Sequence, residues 1–322
     1  MQIKETLKNN KLLAAVFVSL LISIGLNFYI SHYYTVKYTP KFAHISPDIA
    51  WMETEDFLEV QNQYSVGFQD MRTDLIEFMN NSNLQGEYGL YFEDLKTGAW
   101  IGLNEKEEFI SASLLKVPVM VAILKRVEKG ELSLEQKVTL TQDDLNFMSG
   151  TLAQKGAGYT LTIKELLEYL IKESDNTALR VLQTNFLTTE DILEARLAMG
   201  LPIDGDHISY LGPKQYSNIL RSLYYSAYLR RTFSELALSI MSETDYNTQL
   251  PAGVPKEVPV SHKVGYLYSE GINHYHDCGI IYHPVKPYIL CIMSTGADEF
   301  EADRVMSKIS SIVYKNVDKV AS

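Results

Sequence analysis

Phe109-Ile-Ser-Ala-Ser-Leu-Leu-Lys-Val-Pro-Val-Met-Val-Ala-Ile-Leu-Lys125 is the stretch on which the reading of the chain turns. Ser113 and Lys116 stand three positions apart, and the residues after Lys116 are almost all apolar up to Lys125. The pattern predicts a buried helix opening at or just before Ser113. Positions i and i+3 share a helix face, so the Lys116 amine can reach the Ser113 hydroxyl. A serine hydroxyl is a weak nucleophile at neutral pH and needs an adjacent base. A lysine inside an apolar helix loses solvation, which lowers its pKa and suits it to that task. A helix N-terminus also offers free N–H groups to an anionic intermediate. Ser113 is the only serine in the chain with Lys at +3. On its own the pair also fits an exposed helix start; elements further along the chain decide between the two.

The 322 residues carry 29 basic and 40 acidic side chains, a net charge of −11. That balance argues against nucleic acid as a partner, because phosphates select basic surfaces. The 21 tyrosines are scattered and read as core and surface aromatics. Cys278 and Cys291 lie in apolar, strand-like runs around His283-Pro-Val-Lys-Pro287. Pairing about that turn sets residue 278 against about 292, which sends Cys291 to the other face. The expectation is two buried free thiols. Their spacing fits no zinc motif.

Residues 1–11 hold Lys4, Lys8 and Lys11 against Glu5, and 12–31 run without a charge. As a helix that run spans about 30 Å, the thickness of a bilayer core. A cleaved signal peptide and a buried helix are the competing readings. The length, the missing Ala-x-Ala site and the flanking tyrosines favour an uncleaved anchor. The preceding lysines then place 1–11 in the cytoplasm and the remainder outside the cell membrane, as a single-pass protein. Residues 32–55, with Pro40 and Pro47, read as a linker. Residues 56–82 carry an amphipathic helical stripe expected to pack on a domain formed by 83–322.

Glu87–Phe92 and Trp100–Leu103 are strand-like and flank the turn signal Asp94-Leu-Lys-Thr-Gly98. Ser133-Leu-Glu-Gln136 and Thr162-Ile-Lys-Glu165 both look like capping boxes. Residues 139–160 read as loop, and the chain from there is helical to about 244, with Pro213 suited to a first helical turn. Val258–Gly265 reads as a strand, His276–Tyr282 and Pro287–Thr295 as a hairpin, and Glu299–Val317 as a closing helix. The fold class is α+β: a three-layer α/β/α sandwich whose antiparallel sheet joins N- and C-terminal strands around an all-helical block.

Ser113-Leu-Leu-Lys116, Ser174-Asp-Asn176 and Lys263-Val-Gly265 follow in that order, on a helix start, a helix-end loop and a strand. Over roughly residues 83–317 this resembles the penicillin-recognising serine enzymes, most closely the class A β-lactamase-like family, whose signature set is Ser-x-x-Lys, Ser-Asp-Asn and Lys-Thr-Gly. The resemblance implies a serine hydrolase acting on β-lactams or D-Ala-type peptide ends. Ser113 would attack the carbonyl, Lys116 would take or relay its proton, and Ser174 would protonate the leaving nitrogen. Lys263 would attract a substrate carboxylate and tune Ser174, and Asn176 would touch the substrate amide. The oxyanion hole would be the backbone N–H groups of Ser113 and of Tyr266, the residue after Gly265. No cofactor or metal is implied; His274 and His276 alone are a poor zinc site.

Two departures stand out. The loop glutamate that activates water in class A enzymes has no counterpart in Asp204–Pro213, where Asp204, Asp206 or His207 would have to substitute. The threonine of Lys-Thr-Gly is Val264, with Ser261 and Tyr268 as the neighbouring hydroxyls. Glu165 and Glu168 read as helix-surface charges. Three outcomes therefore stay open: a turning-over β-lactamase-like hydrolase, a penicillin-binding or D-Ala peptidase-like acyl-enzyme, and a non-catalytic module of the same fold that binds peptidoglycan-like ligands. An amidase using the same Ser–Lys pair is a weaker fourth.

Overall fold

A computed structural model describes residues 54–201 and 210–321, with side chains from residue 68 onward. The apolar run 12–31 and most of the 204–213 loop lie outside the described residues. Among those described, no helix is long and apolar enough to cross a membrane. The first element is the long helix α1 (Thr54–Asn81).

β1 (Glu87–Asp94) and β2 (Trp100–Leu103) form the expected first hairpin. Asp94 turns the chain: its carboxylate accepts from the N–H groups of Lys96 at 2.7 Å and Thr97 at 3.2 Å, and Gly98 takes a left-handed φ of 72°. The chain returns to this sheet only at its end, with β7 (Val260–Ser269), β8 (Ile272–Ile281) and β9 (Tyr288–Thr295). The order is β2-β1-β9-β8-β7, antiparallel throughout. One face carries α1 and the closing helix α8 (Glu299–Ala321), and Leu75, Phe92, Leu290, Val305 and Ile309 are buried between them.

The helical block covers the other face. It begins with the short strand β3 (Phe109–Ile110) and α2 (Lys116–Glu128). The strands β4 (Lys137–Thr139) and β5 (Thr160–Thr162) pair across the segment read as loop, and α3 (Ile163–Lys172) and α4 (Asn176–Phe186) follow. Then come α5 (Thr189–Ala198), β6 (Tyr210–Leu211), α6 (Pro213–Tyr224) and α7 (Arg231–Ser242). Thr162 caps α3 as expected, with Glu165 returning to the Thr162 N–H at 2.7 Å. Ser133-Leu-Glu-Gln136 opens no helix. It closes a turn through Gln136 N–H to Ser133 O, and β4 begins next; four residues without an apolar stripe behind them have nothing to propagate.

Two strand readings are corrected. Ile281 pairs with Tyr288, so 282–287 form the loop and Cys278 stands directly opposite Cys291. The register is one residue away from the expected one. Both sulfurs therefore lie on one face and form a disulfide, not two free thiols. The strand expected to end at Gly265 continues to Ser269 and turns tightly into β8. Glu270 and Gly271 carry φ of 54° and 83°, the paired left-handed conformation of a type I′ hairpin.

Candidate active site

The chain reaches the site from β3. Ala112 adopts a left-handed φ of 48°, and Ala112–Leu115 form one 3₁₀ turn before α2 starts at Lys116. The sequence predicts a helix opening at or just before Ser113, whereas the α-helix proper opens three residues later. The difference follows from the left-handed Ala112, which re-aims the chain, and from Pro118, which belongs in the first turn of α2, where its missing N–H costs no bond. A 3₁₀ turn has three residues per turn, so side chains at i and i+3 line up. Ser113 is half-buried and Lys116 is 2% exposed.

Ser174-Asp-Asn176 joins α3 to α4. Ser174 has a left-handed φ of 55°, unusual for a residue with a side chain, and a strap from the 146–152 loop holds it. Ser149 Oγ donates to Ser174 O at 3.0 Å, and Asn176 N–H donates to Ser149 O at 3.0 Å. Asp175, fully buried, accepts from Ala178 N–H at 2.8 Å as the N-cap of α4 and from Leu152 N–H at 2.9 Å. Burial raises its carboxyl pKa. Gly150 rests against that carboxylate, where a Cβ would come within 2.0 Å of Oδ2. Asp175 and Ser149 carry none of the expected chemistry, yet they fix Ser174. The middle position of Ser-Asp-Asn was the available signal for the first; nothing local marks the second.

Lys116 joins these two segments. Its Nζ lies 3.2 Å from Ser113 Oγ, 3.1 Å from Ser174 Oγ, 2.8 Å from Asn176 Oδ1 and 2.5 Å from Ser174 O. Burial pulls its pKa down to about 8, against a smaller opposing pull from Asp175. One amine thus contacts both hydroxyls, and a proton leaving Ser113 needs no diffusing carrier to reach Ser174.

Lys263 lies 1% exposed in β7 and is not a solvated edge charge. Its Nζ donates to Val264 O at 2.9 Å and sits 5.8 Å from the Tyr246 ring centre. Burial, with the charge of Lys116, holds its pKa well below the usual lysine value, opposed by Asp277. Tyr246, whose hydroxyl donates to Glu173 O at 3.3 Å, links this side to the Ser174 loop. Further along β7, a Cβ on Gly265 would meet Leu114 Cγ at 3.1 Å. The bare backbone there lets the strand edge press against the Ser113 turn. Tyr266 is assigned only through its backbone; its ring is 53% exposed and stacks on Tyr275 at 4.8 Å.

Neither hydroxyl near Val264 compensates for the missing threonine. Ser261 is fully buried and donates to Leu238 O at 2.7 Å. Tyr268 is 62% exposed and stands four residues along the strand from Val264, on the same face but about 13 Å away. Asp204, Asp206 and His207 lie outside the described residues. Among those described, no group of three or more His, Cys, Asp or Glu side chains is placed to hold a metal ion. A cavity of about 720 Å³ opens between the end of α1 and β1–β3, lined by Asn80, Asn83, Glu87, Asn104 and Glu107 among others. It contains none of the Ser113 group; the chemistry is assigned to the residues around Lys116 on their contacts.

A family model described as the β-lactamase enzyme family matches residues 70–317. Among curated proteins, the chain is 27% identical over 237 residues to β-lactamase VEB-1 of Pseudomonas aeruginosa, covering 66% of this chain and 78% of that one. Among solved structures, PBP-A is similar with a TM-score of 0.69 at 23% identity, covering 78% of this chain and 97% of that one. A PBP-A mutant in an acyl-enzyme complex with penicillin-G gives a TM-score of 0.69 at 24% identity over the same shares of the two chains.

Proposed function

The chain belongs to the β-lactamase enzyme family and is a β-lactamase-like serine hydrolase, and on that premise we propose that it acylates Ser113 with β-lactams or D-Ala-type peptide ends, outside the cell membrane. The contact of the single Lys116 amine with both Ser113 Oγ and Ser174 Oγ carries the reading. Ser113 Oγ bonds to the carbonyl carbon as its proton passes to neutral Lys116. The tetrahedral oxyanion is held by the Ser113 and Tyr266 N–H groups. The C–N bond then breaks, and the leaving nitrogen takes a proton from the Ser174 hydroxyl, which is refilled from Lys116. Asn176 orients the substrate amide and Lys263 supplies positive potential for its carboxylate. Ser113→Ala in the full-length chain, mixed with a penicillin, tests this: a covalent adduct that persists in the variant rejects the assignment.

A second reading concerns turnover. Without a glutamate in Asp204–Pro213, the acyl-enzyme persists and the protein behaves as a penicillin-binding enzyme. Burst kinetics separate the two: one equivalent of drug consumed, or many.

The extracytoplasmic placement rests on the uncharged run 12–31 after three lysines and is supported by the Cys278–Cys291 disulfide, a bond that persists in oxidising compartments. Protease shaving of intact cells should remove residues 50–322; their survival would overturn this topology.

A further inference from the structure

We infer that His276 is a positioning residue for the oxyanion side of the cleft, fixing the backbone on both flanks through one imidazole ring. The inference rests on the acyl-enzyme reading of Ser113. On one flank, His276 Nε2–H donates to Ile110 O at 2.7 Å. Ile110 is the last residue of β3, two before the left-handed Ala112, whose dihedrals aim the Ser113 N–H. On the other flank, His276 pairs with Gly265 across the β7–β8 ladder. A Cβ on Gly265 would stand 3.0 Å from His276 Cδ2, so the ring is the wall on which Gly265 rests. The Tyr266 N–H follows directly. The remaining nitrogen, Nδ1, accepts from Ser294 N–H at 3.3 Å, which ties the ring to β9.

The ring has no capacity left for proton transfer or metal binding. It is fully buried, and desolvation pushes its pKa down to about 4, so at neutral pH it holds one donor and one acceptor. Both are engaged. That separates His276 from Lys116: it touches neither reacting hydroxyl, and acts through the two backbone segments it joins. An oxyanion hole depends on donors held before charge develops, and here the segments bearing them are far apart in sequence. One ring spanning them keeps their separation fixed.

The test compares His276→Leu, His276→Gln and the wild type as full-length chains, with a penicillin as probe. Leu fills space without a donor, whereas the Gln amide can still donate to Ile110 O. His276→Asn, polar but too short to reach, serves if Leu does not fold. The readouts are the acylation rate, the dissociation constant of the non-covalent complex, the thermal midpoint and the carbonyl stretch of the acyl-enzyme. Loss of the link should slow acylation by about 100-fold, as loss of one oxyanion donor does. It should leave the dissociation constant nearly unchanged and move the acyl carbonyl stretch to higher wavenumber, with His276→Gln restoring both. A folded His276→Leu or His276→Asn chain that acylates at the wild-type rate with an unmoved stretch overturns the inference. So does a slowing in all variants that merely follows lost thermal stability. Absence of any adduct on the wild type, together with no consumption of the drug, overturns the acyl-enzyme reading, and this inference with it.

Discussion

Lys116 Nζ stands 3.2 Å from Ser113 Oγ at the head of a run that is apolar from Val117 to Leu124, and burial brings its pKa to about 8. Proton removal by a positioned base contributes about 10²–10⁴-fold. Lys116→Ala should lower the acylation rate by about that factor while the chain still folds, as read by adduct formation against time. An unchanged rate would assign the proton to another group.

The same value sets a pH profile. If neutral Lys116 is the base, acylation rises with pH through about 8 and levels off above it. Pre-steady-state acylation rates from pH 6 to pH 9.5 give the curve, and a flat profile would contradict the role.

Stability follows with a fixed sign. Lys116 and Lys263 are both held below the ordinary lysine value of 10.5 by burial. Between about 8 and that value the unfolded chain binds more protons than the folded one, so stability rises with pH. Buried tyrosines such as Tyr224 hold their protons above pH 10 and reverse the trend there. Denaturant unfolding at pH 8 and pH 9.5 should show the higher midpoint at pH 9.5, and the Lys116→Met variant a smaller rise.

Asp175 offers a test of the strap. Asp175→Ala removes the α4 cap and leaves Leu152 N–H without its acceptor. Losing the cap alone costs about 1–2 kcal/mol, with a further penalty for the unpaired donor. Chemical unfolding should show the loss, and acylation should slow because Ser174 is released.

The disulfide closes a sequence separation of 13 residues, for which chain-entropy reasoning gives about 3 kcal/mol. The double variant Cys278→Ala/Cys291→Ala should be less stable by about that amount. Alkylation of the unreduced, denatured wild type should find no free thiol.

Much of this was legible in the sequence because it depends on local period and order. Ser113, Lys116, Ser174, Asn176 and Lys263 could be named from motifs, and the structure brings Ser113, Ser174 and Asn176 around the Lys116 amine. What failed depends on register and on long-range contact. Moving the β8–β9 pairing by one residue turned a disulfide into two free thiols, since a strand's side chains alternate faces. The left-handed Ala112 and the 3₁₀ turn were invisible because nothing in Ser-Ala-Ser demands them. His276 looked like half of a weak metal pair, and its bond to Ile110 joins residues 166 positions apart. The strap on Ser174 is likewise a tertiary contact without a motif.

Intact-protein mass spectrometry of the full-length chain mixed with a penicillin and followed over time, with Ser113→Ala alongside, tests the central claim most directly. The account predicts an adduct of one drug mass on the wild type, absent from Ser113→Ala and slow to decay because Asp204–Pro213 offers no glutamate. An adduct formed equally by Ser113→Ala, or no adduct and no consumption of the drug by the wild type, would contradict it.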